Sequence, residues 1–93
     1  MHYIELLAKS YSLTSKNYAV AYNFMQLLNK LPLIDHSGIL EDFGFDNGYP
    51  ASYWCIFFQC RPRDAIRMRY VLDYIPSSID AESRIEDEEG NEL

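Results

Sequence analysis

PASYWCIFFQC, residues 50–60, is the stretch on which the fold turns. Its aromatic residues and Ile56 favour a strand. Its unbroken apolarity, however, fits a buried helix as well as a buried strand. Pro50 suits the first turn of a helix, and no second strong strand is evident for this stretch to pair with. The reading therefore favours a helix, and with it a mostly α protein: a small single-domain helical bundle with an irregular acidic loop. A strand at 51–60 is the alternative and makes the fold α+β.

Working upstream, Ile4, Leu7, Ala8 and Tyr11 recur at helical spacing, which predicts a helix over 2–12. Glu5 and Lys9 form a favourable i,i+4 pair on it. Thr14 or Ser15 then caps a second helix over about 15–31. Its expected apolar face is Tyr18, Ala21, Tyr22, Met25, Leu28 and Leu31, and Pro32 stops it. The two helices are expected to pack as an antiparallel hairpin. In LIDHSGILEDFGFDNGYP, Ser37 caps a short helical turn through 38–43, and Gly44 ends it with positive φ. Asp46-Asn47-Gly48 is turn chemistry. Downstream, Arg61-Pro62 breaks the chain. A last helix over about 63–75 turns Ala65, Met68, Leu72 and Ile75 inward, until Pro76-Ser77-Ser78 ends it. Beyond that the chain lacks a core face, apart from a frayed amphipathic turn or two in 78–85. The expected organisation is a compact helical domain over 1–79 and an acidic C-terminal tail over 80–93.

At 93 residues the chain is one domain at most. A hydrophobic content of 48% is that of a globular protein rather than a disordered one. No apolar run approaches the roughly 20 residues needed to span a bilayer. The N-terminal MHYIELLAKSY lacks the basic start, apolar stretch and cleavage site of a signal peptide, so a cytoplasmic location is expected. Cys55 and Cys60 fit that expectation. They are not a C-x-x-C pair, they lie in the most apolar part of the chain, and a buried free cysteine acts as a small hydrophobe.

Catalytic signatures are missing. The four glycines form no phosphate-cradling loop, and there is no G-x-S-x-G turn. His2 and His36 have no partner at metal-ligand spacing. His36 beside Asp35 has the local make-up of an acid–base group but no supporting constellation. The expectation is a protein that is not an enzyme and needs neither cofactor nor metal.

The charge is organised. From residue 80 onward, Asp80, Glu82, Glu86, Asp87, Glu88, Glu89 and Glu92 stand against Arg84 alone, which accounts for the whole net charge of −6. Residues 1–79 are formally neutral but polarised. Asp35, Glu41, Asp42 and Asp46 form one acidic zone, and Arg61, Arg63, Arg67 and Arg69 form a basic one around Asp64. An arginine cluster suits phosphate, yet the net negative charge repels a polyanion at long range. Direct nucleic-acid binding therefore ranks low. Eight tyrosines and one tryptophan are many for this length. Most are expected in the core, with Tyr3, Tyr49 and Tyr53 exposed for an interface.

In size, acidity, aromatic content and lack of catalytic motif, the whole chain resembles the small phage-type anti-restriction and DNA-mimic inhibitors, of the anti-restriction nuclease (Arn) sort. That resemblance implies a host DNA-binding protein or restriction enzyme as partner, and a location in the host cytoplasm. It also implies that carboxylates stand in for phosphates at Asp35, Glu41, Asp42, Asp46, Asp80, Glu82, Glu86, Asp87, Glu88 and Glu89. A homodimer would align two acid zones. The formally neutral body departs from a mimic that spreads charge over its surface. The expected function is thus a non-enzymatic inhibitor. The alternative is a helical protein-interaction module, such as an immunity or anti-defence protein, that binds one partner through aromatic residues.

Overall fold

A computed structural model describes residues 7–93. The element order is β1 (Lys9–Ser15), α1 (Tyr18–Asn29), β2 (Asp35–His36), β3 (Leu40–Asp46), β4 (Tyr49–Cys60), α2 (Pro62–Leu72) and β5 (Arg84–Asp87). All strand pairs are antiparallel: β4 pairs β1 on one side, and β2 and β3 in succession on the other. β5 pairs the far side of β1. With β2 and β3 taken as two segments of one edge, the chain is β-α-β-β-α-β in the split β-α-β arrangement.

The mostly α expectation is overturned. Tyr49–Cys60 is the longest strand of the sheet, and its continuous apolarity follows from being central to the fold. It has a neighbour on each side: Lys9–Ser15 on one, Asp35–His36 and Leu40–Asp46 on the other. Those partners are weak as isolated strand signals, because KSYSLTS and LEDFGFD are polar or glycine-containing. The helix expected over 2–12 ends as a strand from Lys9 onward, and its earlier part, with Tyr3 and His2, lies outside the described residues up to position 6. The antiparallel helical hairpin falls with it. The helical turn expected at 38–43 is β3, and Gly44 is extended within that strand rather than a helix stop.

The two remaining helices form, each with a correction. α1 is capped by Asn17, whose side-chain oxygen accepts from Ala19 N at 2.8 Å, not by Thr14 or Ser15, which belong to β1. Its buried face is Val20, Ala21, Phe24 and Leu28, so Tyr18 and Tyr22 sit at the border and Leu31 lies outside it. α2 starts with Pro62 in its first turn, where a missing N–H costs nothing. It buries Ala65, Met68 and Leu72, while Ile75 is buried just past its end. The segment after it also has a core face: Ile75, Ser78, Ala81 and Ile85 are all buried.

Side chains alternate across a strand, and the register assigns the two faces. Tyr11, Leu13, Ser15, Trp54, Ile56, Phe58, Cys60 and Ile85 share the face on which the helices lie, and most of them join α1 and α2 in one core. Phe24 and Phe58 meet across it with ring centroids 5.7 Å apart. Ser10, Ser12, Thr14, Tyr53, Cys55, Phe57 and Gln59 share the opposite, helix-free face. Cys55 and Cys60 therefore point to opposite sides of β4. Cys60 is in the core, where burial pushes its thiol up to about 11.

Candidate aromatic interface

The helix-side face of the sheet does not stop where the helices stop. β3 and β4 continue past the last residue of β1, which is Ser15 opposite Trp54. They run on as a two-stranded ribbon to a two-residue turn at Asn47-Gly48. Both turn residues have positive φ, +52° and +82°, which is the twist-matched geometry that Asn-Gly supplies. Along the ribbon Phe43 faces Ser52 and Phe45 faces Pro50, on the same side as Trp54. Phe43 is 75% exposed and Phe45 76%, and Tyr49 at the turn is 77% exposed on the other side.

These rings extend an aromatic run that begins on α1. Tyr22 stacks on Tyr18 at 6.4 Å, and Tyr18 meets the edge of Trp54 at 5.1 Å. Trp54 packs against the core while Tyr18 and Tyr22 remain half exposed. The strip thus passes from Tyr22 and Tyr18 through Trp54 to the uncovered Phe43 and Phe45. Gly44 lies between the two phenylalanines on the opposite side, where Tyr53 covers it. A Cβ there would stand 3.0 Å from Tyr53 Cε2.

Carboxylates rim this strip unevenly. Glu41 lies opposite Trp54 on the aromatic side, and Ser52 Oγ donates to it at 3.5 Å. Asp42 lies on the other side and accepts from the Phe43 N–H at 2.9 Å. Asp46 reaches Lys16 Nζ at 2.6 Å, and Glu82 meets the same ammonium at 2.9 Å. The hydrogen bonds from Lys16 to Asp46 and then Glu82 hold that ammonium well above the usual lysine range. They also tie the turn end of the ribbon and the segment after α2 to the end of β1.

The remaining acids of the sequence analysis are scattered. Asp35 lies on β2 opposite Gln59, and Asp80 and Glu89 are exposed. Glu86 pairs with Arg84 at 2.6 Å. Asp87 accepts from the N–H groups of Glu89 and Asn91, each at 2.9 Å. The backbone donation from Asn91 is the main cause that holds its carboxyl below the usual range. Glu88 accepts from Ser10 N at 2.9 Å. So Asp46 and Glu82 are brought together, Glu41 and Asp42 flank the aromatic ribbon, and Glu86, Asp87 and Glu88 are engaged along β5.

Three arginines of the basic zone are engaged by residues of α2 and its ends or by the C-terminal segment. Arg61 and Arg67 reach Asp64 at 3.1 and 3.6 Å, and Arg69 reaches Asp73 at 2.8 Å and the Leu93 backbone oxygen at 3.1 Å. Both ring nitrogens of His36 are engaged, Nδ1 with the Ser37 carbonyl at 2.6 Å and Nε2 with the Asn29 side chain. Among the described residues no three His, Cys, Asp or Glu side chains converge as a metal site, and no helix is long and apolar enough to cross a membrane.

Sequence reasoning placed most tyrosines in the core. Of those described, only Tyr11 is buried, Tyr53 is half-buried, and the rest are exposed. It named Tyr49 as exposed but missed Phe43 and Phe45. Their signal is the alternation F-x-F beside Asn-Gly, which points to a hairpin once a strand partner is assumed. No family model, no curated protein and no solved structure matches the chain.

Proposed function

We propose that the chain is a non-enzymatic protein-binding module whose β3–β4 ribbon is the contact element. The observation that carries this reading is the continuation of the sheet's helix-side face into Phe43 and Phe45, which no element among the described residues covers. Large rigid aromatic area at low entropy cost is what anchors protein interfaces, and exposed apolar surface rimmed by polar groups marks such sites. Glu41 and Asp42 give the strip a negative border, which selects a cationic partner surface.

A photo-crosslinking amino acid in place of Phe43 tests it. In cells expressing the chain, discrete protein adducts are expected from position 43 and none from exposed position 89, just past β5 at the opposite edge of the sheet. Adducts equal at both positions, or absent at 43, remove the ribbon as the contact element.

A second reading keeps the carboxylates in the leading role, as a DNA mimic that inhibits a host DNA-binding or restriction protein. One observation favours it: Lys16 gathers Asp46 of the mid-chain acids and Glu82 of the C-terminal acids at one end of the sheet. This reading predicts that DNA competes for the partner and that salt weakens binding steeply. The aromatic reading predicts modest salt dependence and a loss of about tenfold or more on Phe43→Ala, the scale of an anchoring residue.

A further inference from the structure

The two outer edges of the sheet are treated differently. At β5 the outward backbone groups are already used. Leu93 N donates to the Ile85 carbonyl and Asp87 N to the Asn91 carbonyl, each at 2.9 Å, so the chain folds back over that edge. At β3 no other strand among the described residues pairs with the outward row. The two-residue turn makes Asp46 and Tyr49 a hydrogen-bonded pair. Leu40, Asp42, Gly44 and Asp46 therefore spend their backbone groups on β4, and those of Glu41, Phe43 and Phe45 point away from the sheet. One outward amide, that of Phe43, is occupied by the carboxylate of the preceding residue, Asp42. An acidic side chain capping an edge amide discourages indiscriminate strand pairing.

We infer that β3 accepts an extended basic segment of the partner as an added strand, with Asp42 exchanging the Phe43 amide for a partner guanidinium or ammonium. This inference rests on the proposed contact role of the ribbon and specifies its mode. Charge complementarity selects the occupant. Glu41 and Asp42 are both exposed, and no lysine or arginine lies on β3 to balance them. The β3 edge of a second copy brings no cation to Glu41 and Asp42, and an antiparallel pair centred on Asp42 would set each acid near its own copy. The added strand's alternation follows from the register. Residues beside Phe43 and Phe45 are apolar, those beside Asp42 and Glu41 are cationic, and the residue beside Gly44 is unrestricted. Main-chain hydrogen bonds supply affinity and the alternate side chains supply selectivity.

The test uses the full chain, isotope-labelled, and the acetylated, amidated peptide Ser-Val-Ser-Val-Arg-Arg-Ser. Saturable shifts are expected at the Glu41, Phe43 and Phe45 amides, with slowed exchange of those protons. Methylating the peptide nitrogens that face β3 abolishes binding, as does replacing both arginines with glutamate. Asp42→Asn, which keeps an oxygen to accept from Phe43, weakens binding about threefold, the scale of an exposed ion pair. Equal binding of the methylated peptide, or shifts elsewhere but not on β3, overturns strand addition. Sedimentation of the chain alone as a dimer with protected β3 amides overturns it in favour of a second copy. Neither result touches the crosslinking from position 43, so the mode and the contact role fail separately.

Discussion

Gly48 closes the ribbon at φ +82° with nothing within 4 Å of where a Cβ would stand. Gly48→Ala therefore meets backbone strain alone. It is expected to cost about 1–2 kcal/mol, the left-handed penalty for a residue with a side chain, read as a lower urea midpoint. Cys60 makes a second residue-scale prediction. Its thiol titrates near 9 when exposed and about 11 in the fold because burial disfavours the thiolate. The folded state thus holds the proton more tightly, and the stabilisation present below pH 9 is lost as pH rises through about 11. A denaturation series from pH 8 to 11 should fall over that window, and Cys60→Ala should make the fall shallower, leaving the part due to Tyr11 and Lys16, which are also raised in the fold. Native Cys60 should also resist a thiol reagent at pH 8 that modifies it in urea. At this scale the sequence was informative. Asn47-Gly48 announced a turn and Cys60 a buried thiol, because both depend on covalent structure and immediate surroundings. What single residues could not say was that the turn joined two strands.

The elements show why. α1 and α2 are legible because periodicity, a cap or a proline, and a stop lie within the segment itself. Even so the phase of α1 was misread. Ala21 and Leu28 are buried and Met25 packs against the core as expected, but Tyr18 and Tyr22 carry enough apolar surface to stand in for Val20 and Phe24, and only the opposing sheet decides which pair is buried. Phe24→Ala should cost about 3–5 kcal/mol, since Phe24 packs on Phe58 in a closed core. Tyr22→Ala, at the half-exposed border, should cost about 1 kcal/mol or less. Reversed costs in thermal melts would restore the helix face expected from sequence. The strands were hidden for the converse reason. A strand is completed by partners distant in sequence: Ser15 aligns with Trp54 and Thr14 with Arg84. KSYSLTS carries its apolar residues only at alternate positions, which a helical template partly matches over so short a span. β3 offers no buried face at all, so hydrophobic patterning had nothing to report there. The candidate site was missed with it, because exposed phenylalanines look like core residues until the sheet runs out of helix to cover them.

For the whole molecule, the acidic C-terminal segment has a structural task as well as a charge. Arg84–Asp87 is a strand, and Ile85 is fully buried. Removing 84–93 is therefore expected to cost at least the roughly 2–5 kcal/mol of emptying an isoleucine site, a large part of a small domain's stability. Circular dichroism should show a much lower melting temperature, whereas Glu88→Gln with Glu89→Gln should melt close to the parent. If truncation leaves the melt unchanged, β5 is not part of the cooperative fold. Charge and fold are thus separable by amide substitution but not by deletion. The order of the sheet carries one more consequence, for synthesis. β1 lies between β4 and β5, both of which follow it in the chain. As the polypeptide leaves the ribosome, its central strand waits with two bare edges, first for residues 54–60 and then for 84–87. Neither neighbour can be supplied early, so the nascent chain passes through a long interval in which Tyr11 and Leu13 are available to chaperones and proteases. The domain is bound to close late and all together, rather than in the stepwise manner open to a helical hairpin.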